Sequence, residues 1–237
     1  MKENIENIEI VEDAGDTEEI EQVKEDDKSE AKSIKVILVG ESGVGKTCII
    51  HRYTTGIFDD ETLSTIAISS EEKTITLKDE NKTKITFKIW DTCGQEKYRN
   101  IAGIFFKDAN AVVFVYDSTS ENSFNEIKNY WYDKIKEEAP KDIVMAVASN
   151  KSDLFDMEQV SEDEGSKYAE EIGASFTMVS AYSGAGINQL FENIGMKYLD
   201  LNLEEDEDKK GNLKLTTIRL VDDENNQQGR YKCCYYY

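Results

Sequence analysis

Apolar residues along this chain come in short runs, and the change in their spacing from one run to the next predicts the elements. Ile34 and residues 36–39 form an apolar, largely β-branched run that stops at Gly40, which reads as a buried strand. Ile85, Phe87 and Ile89 alternate with more polar neighbours, the period of a strand with one buried face. Another strand-like run begins at Val144 and ends at Asn150. Between these runs the spacing lengthens. Phe124, Ile127, Trp131 and Ile135 recur every three or four residues, which predicts a helix over 121–138. The only proline, Pro140, follows as its terminator. A second helix is expected over 161–172, and another beginning at about Gly45. Alternating strand and helix patterns imply βαβ units and a mostly parallel sheet. No internal repeat interrupts this α/β arrangement.

The ends of the chain differ from its middle. Residues 1–32 carry 13 acidic and 4 basic side chains. Their apolar positions (Ile5, Ile8, Val11, Ile20 and Val23 among them) are too sparse to offset the entropy of ordering. From about Leu201 the chain turns polar again, with an acidic run at 204–208. The expected organisation is an acidic, disordered extension over 1–33, one globular domain over 34–200 and a flexible tail over 201–237.

Composition narrows the function classes. The formal net charge of −21 over 237 residues argues against nucleic acid, whose phosphates attract basic proteins. Four cysteines are too few and too scattered for a disulfide framework, and no metal-ligand spacing appears. Cys48 and Cys93 are therefore expected as reduced thiols in a cytosolic domain. Nothing approaches the ~20 apolar residues of a membrane span, and the acidic N-terminus does not fit a signal peptide.

The chemistry concentrates at the strand ends. After the first strand, Gly40-x4-Gly45-Lys46-Thr47 fits the P-loop pattern. Its glycines let the backbone curl so that successive N–H groups point at phosphate oxygens. Lys46 can reach the β- and γ-phosphates, Thr47 offers a hydroxyl to Mg²⁺, and the helix that follows adds its positive end. A later strand ends at Asn150-Lys151-Ser152-Asp153, where ligands bind in open α/β sheets. A carboxylate accepts two hydrogen bonds side by side, so Asp153 suits the N1–H and 2-amino group of guanine. Adenine lacks that donor pair and would leave a buried carboxylate unsatisfied. Two more segments stand where a nucleotide switch needs them. Thr65 can supply a second hydroxyl to Mg²⁺ when a γ-phosphate is present. Asp91 can serve the metal through its water shell, Gly94 can bring an N–H to the γ-phosphate, and Gln95 can orient an attacking water.

In this order the motifs resemble the Ras superfamily of small GTPases and, within it, the Rab family. The resemblance covers residues 34–200. It rests on residues 40–47, Ser64-Thr65-Ile66, Trp90-Asp-Thr-Cys-Gly-Gln-Glu-Lys-Tyr-Arg99, residues 115–119, Ser123-Phe124, residues 150–153 and Ser180-Ala181. It implies a P-loop G domain: a mostly parallel central sheet with helices on both faces and one antiparallel edge strand. By position, Ser42, Gly43 and Val44 would line the phosphates beside Gly45, and Cys48 would lie next to them. Phe58 would stack on the guanine, Lys151 would pack along it, and Ala181, between Ser180 and Tyr182, would offer its N–H to the guanine oxygen. Ile66, Ile68, Trp90 and Phe105 would belong to the surface that effectors read.

Departures from the family pattern are equally specific. Rab proteins usually read Thr-Ile-Gly-x-Asp-Phe through the first switch, whereas this chain has Thr65-Ile-Ala-Ile-Ser-Ser70. The aromatic expected at Ser70 is missing, so effector choice should be unusual. Cys93 replaces an alanine, and Tyr182 replaces the lysine that usually follows Ser-Ala. The turn over 78–84 looks slightly long, which a surface hairpin tolerates.

Cys233 and Cys234, followed by three tyrosines, look like a Rab double-prenylation site and fit a C-a-a-X pattern loosely. One lipid chain is a marginal anchor, so both cysteines should be needed. His51 is expected as a helix residue, and Tyr130, Trp131 and Tyr132 as packing. No Ser/His/Asp grouping supports triad hydrolysis.

The expectation is a monomeric GTPase that binds GTP or GDP with Mg²⁺ and switches in vesicle-mediated traffic, lipid-anchored on the cytoplasmic face of a membrane. The resemblance implies an exchange factor, a GAP, effectors, and prenylation, escort and extraction proteins as partners. The alternative is a nucleotide-binding scaffold or tether that barely hydrolyses.

Overall fold

The computed structural model describes residues 31–59, 69–92 and 105–214, the last of these with side chains as far as residue 201. Six strands form one sheet: β1 (Lys32–Val39), β2 (Ser69–Thr76), β3 (Lys84–Asp91), β4 (Ala111–Asp117), β5 (Val144–Asn150) and β6 (Ser175–Met178). Their spatial order is β2-β3-β1-β4-β5-β6. Every pairing is parallel except that of β2 with β3, which places one antiparallel strand at the edge. The α/β sheet expected from the sequence is the one observed.

Four longer helices accompany the sheet among the described residues, besides one short turn of 3-10 helix at Phe155–Met157. They are α1 (Lys46–Thr55), α2, α3 (Glu162–Glu171) and α4 (Ile187–Lys214). The helix α2 runs from Glu121–Glu126 through a wider π turn, Ile127–Trp131, into Tyr132–Glu138. In the π turn the Tyr132 N–H reaches back to Ile127 O. That turn was not legible from spacing alone, yet the four expected apolar positions all face inward, and Trp131 is fully buried. The expected second helix is observed with Ser161 as its cap, its side chain accepting from the Glu164 N–H. Glu162, Asp163 and Glu164 in the first turn complement the positive helix end.

The alternation within β1 explains why its whole run is apolar. Ile34, Val36 and Leu38 face a core built with α1 and α4, while Ile37 and Val39 face a second core built with α2 and α3. A strand covered on both sides has no solvent face to signal. In the first core, Phe191 of α4 stacks on Tyr53 at 3.8 Å and meets Phe87 edge-on at 5.6 Å. Burying such a ring contributes about 2–3 kcal/mol. On the other side, Gly165 lets α3 approach closely, since a Cβ there would fall 2.3 Å from the Tyr116 hydroxyl.

Two boundaries differ from the expected ones. β1 begins at Lys32, and α4 continues to Lys214, through the acidic run expected in the tail. Leucine, glutamate and lysine are good helix formers, and no glycine or proline intervenes between Gly195 and Gly211. Most of the acidic extension and the terminal cysteines lie outside the described residues. No helix among the described residues is long and apolar enough to cross a membrane. The β2–β3 turn is closed by Asp79, whose carboxylate accepts from the Thr83 N–H at 2.7 Å.

Candidate nucleotide site

β1 and β4 are neighbours, yet the chain runs on from β1 to β2 at one edge of the sheet and from β4 to β5 on the other side. Crevices outside such strand ends are where open α/β sheets bind ligands. Gly40 opens the turn with φ +149°, and a Cβ there would fall 2.1 Å from Val115 O. Gly43 and Gly45 follow with φ of 81° and 94°. Only glycine occupies such backbone without strain next to a neighbouring strand. The loop folds around Lys46, whose Nζ donates to Gly40 O at 2.9 Å and Glu41 O at 2.8 Å. An ammonium held in this way stands inside the curl of the loop, where an anion would meet it. Thr47, one residue on, donates its hydroxyl to Asp91 Oδ2 at 2.6 Å. This brings the first turn of α1 to the end of β3. A hydroxyl and a carboxylate are hard oxygen donors of the kind that Mg²⁺ takes. Among the described residues, no group of three His, Cys, Asp or Glu side chains gathers that could cage a metal alone. Mg²⁺ commonly completes its shell with substrate phosphates and water.

The second half of the site lies at the end of β5. Asn150 is buried and bridges two loops: its Nδ2 donates to Val44 O at 2.7 Å, and its Oδ1 accepts from the Ala181 N–H at 3.2 Å. The Ala181 N–H expected to face a ligand is thus already held by Asn150. Lys151 has φ 63° and pairs its Nζ with Asp117 Oδ2 at 2.6 Å. Asp117 Oδ1 also accepts from the backbone N–H and hydroxyl of Thr119, at 2.9 and 2.7 Å. The Ser180 hydroxyl donates to Asp153 Oδ1 at 2.5 Å and itself accepts from the Ser183 N–H at 3.0 Å. Each charged group at this end is oriented by a fixed partner.

Between the two halves lies a cavity of about 370 Å³. Gly43, Gly45 and Cys48 line it on the P-loop side, and Lys151, Asp153, Ala181 and Tyr182 line it from the far loops. Phe58 and Tyr182 touch at its mouth, ring centroids 5.4 Å apart and planes 81° apart. Ser42, directly before Gly43 in sequence, is exposed. Leu154 also lines the cavity, and sequence reasoning missed it. Its only signal was its place directly after Asp153. Asp117, the partner of Lys151, was missed for a stronger reason: nothing local marks a strand-end aspartate as the anchor of a lysine 34 residues away.

Outside the cavity, Trp90 and Phe105 meet with centroids 5.3 Å apart, and Lys35 Nζ lies 5.3 Å from the Trp90 ring. Ser70 pairs with Trp90 across β2 and β3, so the aromatic missing from the sequence is missing beside this pair. His51 is a half-buried α1 residue, and Tyr130 and Tyr132 pack against the second core. Thr65, Ile66, Ile68, Cys93, Gly94, Gln95, Cys233 and Cys234 lie outside the described residues.

Comparison with known proteins agrees with the architecture. A family model described as "Ras family" matches residues 35–200. The chain is 40% identical over 157 residues to the Ras-related protein Rab-8B of Homo sapiens, covering 66% of this chain and 74% of that one. It is 36% identical over 203 residues to Rab-31 of Rattus norvegicus, covering 86% and 98%. With the GTP-binding protein YPT52 of Saccharomyces cerevisiae it shares 38% over 197 residues, covering 72% and 84%. A glycine-rich turn around a held lysine, set on a mostly parallel sheet, and this degree of similarity lead to one conclusion: the chain belongs to the Ras family and, within it, to the Rab small GTPases, which are GTP-hydrolysing enzymes.

Proposed function

We propose that the cavity takes GTP and GDP with Mg²⁺, and that the protein is a nucleotide-dependent switch in vesicle-mediated membrane traffic. The observation that carries this is the cavity itself. A lysine-centred glycine loop stands at one end and an oriented carboxylate, Asp153, at the other. In this reading the N–H groups of residues 42–47 and Lys46 hold the phosphates, Asp153 reads the two donors of guanine, and Phe58 and Lys151 flank the base. Thr47, Thr65 and Asp91 hold Mg²⁺, Asp91 through water, and the ion neutralises charge on the phosphates when bound. Thr65 and Gly94 order the switch segments when a γ-phosphate is present, and Gln95 orients the attacking water. Without a GAP, turnover is expected to be slow, on the order of 10⁻⁴ s⁻¹.

The remainder of the proposal follows from the family. Residues 34–200 act as the G domain, and Trp90, Phe105, Ile66 and Ile68 meet effectors. Cys233 and Cys234 carry lipid that holds the protein on the cytoplasmic face of an intracellular membrane. An exchange factor, a GAP, and prenylation, escort and extraction proteins complete the cycle, with the GTPase itself monomeric.

Single-turnover GTP hydrolysis with Mg²⁺, comparing the full chain with Gln95→Leu, tests the reading. Slow turnover that falls sharply in the variant supports it. Selective binding of ATP over GTP would overturn it.

A further inference from the structure

Arg52 stands in the last turn of α1, and its guanidinium reaches two loops at once. Nη1 donates to Gly56 O at 2.8 Å, and Nη2 donates to Ser183 O at 2.9 Å. Gly56 leads to Phe58 two residues on, and Ser183 directly follows Tyr182. The two loops that Arg52 joins are therefore the two whose rings meet at the cavity mouth. The fit is close: a Cβ on Gly184 would fall 2.8 Å from Arg52 Nε. A planar fork can fix two acceptors in this way, whereas the point charge of lysine cannot.

The core does not demand this ring contact. Tyr182 is 66% exposed, and Phe58 only packs at the edge of the first core. Both nevertheless line the cavity. With their planes 81° apart, the rings form a corner rather than a sandwich. A planar base that stacks on one ring meets the other by its edge, and both arrangements are favourable for aromatic groups.

We propose that Tyr182, positioned by Arg52, joins Phe58 as the second half of a clasp on the base of a bound guanine nucleotide and slows its release. The proposal rests on the guanine-nucleotide reading above. Departure of the base breaks its contact with the corner, and the two arginine bonds oppose the separation of the loops. Arg52 is a positioning residue here, since it acts through the two rings.

The test is release of radiolabelled GDP from the full chain, loaded with Mg²⁺ and chased with excess unlabelled GDP. Tyr182→Ala is expected to release GDP about 3- to 10-fold faster, and Tyr182→Phe at the wild-type rate. The exposed position of Tyr182 predicts an unchanged thermal midpoint without nucleotide. Arg52→Gln is expected to speed release in the wild-type background and to add nothing in the Tyr182→Ala background. An arginine that only capped α1 would not show that dependence. Wild-type release from Tyr182→Ala, or an Arg52→Gln effect of equal size in both backgrounds, overturns the clasp while GDP binding stands. A wild-type chain that retains no GDP overturns the guanine reading and the clasp together.

Discussion

The Ser180 hydroxyl donates to Asp153 Oδ1 at 2.5 Å, so a residue 27 positions away aims the carboxylate proposed to read guanine. One carboxylate oxygen is held by the hydroxyl, which restricts rotation of the group. Hydrogen bonds to charged groups contribute about 1.5–3 kcal/mol. Ser180→Ala is therefore expected to weaken GDP binding about 10-fold. It should also narrow the preference for GDP over inosine diphosphate, which lacks the 2-amino group. Competition binding with the two nucleotides measures both. An unchanged preference would show that Asp153 needs no help from Ser180.

Asn150 joins the P-loop to the loop after β6. Removing its amide leaves Val44 O and the Ala181 N–H without their side-chain partner in a buried site. A buried group left unsatisfied costs about 1–3 kcal/mol. Asn150→Ala is expected to lower stability by about 2–3 kcal/mol, read by urea denaturation without nucleotide. Asn150→Asp should be at least as damaging, because a carboxylate cannot donate to Val44 O.

The glycines of the P-loop are expected to differ sharply in tolerance. Gly40→Ala would place a Cβ 2.1 Å from Val115 O, on backbone with φ +149°. Overpacking and backbone strain together put its cost at about 2–5 kcal/mol. At Gly43, φ is +81° but nothing lies within 4 Å of a Cβ, so alanine there costs only the backbone term, about 1 kcal/mol. Denaturation of the two variants side by side checks the ordering. Equal losses would mean that contact with β4 is not the limiting feature.

Tyr116 is fully buried in β4, and burial is the main cause that pushes its phenol up from 10.0 to about 12, with Glu158 and Glu164 adding to it. In the unfolded chain the phenol ionises near its ordinary value, so alkali favours unfolding once pH exceeds that value. The stability tied to this group is intact below about pH 10 and is lost as pH rises toward about 12. Tyr168, raised to about 12 mainly by burial, acts in the same direction. Denaturation midpoints measured across this window should fall steadily, and less steeply in Tyr116→Phe. Identical slopes in the two proteins would remove Tyr116 as a cause.

Much of this molecule was legible in the chain because the determinants are local. The run from Ile34 to Val39, the glycines after it and the lysine and threonine that follow lie within 14 consecutive residues. Strand, turn and helix start are each set by neighbours in sequence. Pro140 marked the end of α2 for the same reason. Period alone, however, could not reveal the π turn at Ile127–Trp131, since the apolar spacing suits an ordinary helix equally well. Nor did polarity stop α4 at residue 200, because charged residues with good helix propensity prolong a helix as readily as they form a tail.

The sequence by itself determined which groups are present at the site: a lysine proposed to hold phosphate, a hydroxyl and a carboxylate proposed to hold a metal, and a carboxylate proposed to read guanine. Only the tertiary structure decided how they are held. Asn150 clamps Val44 and Ala181, Lys151 finds Asp117, and Arg52 joins the loops of Phe58 and Tyr182. Apart from the local bond of Arg52 to Gly56, each of these is a hydrogen bond or ion pair between residues far apart in sequence that the fold brings together. Donors and acceptors carry no mark in the sequence of which partner the fold will set within 3 Å of them.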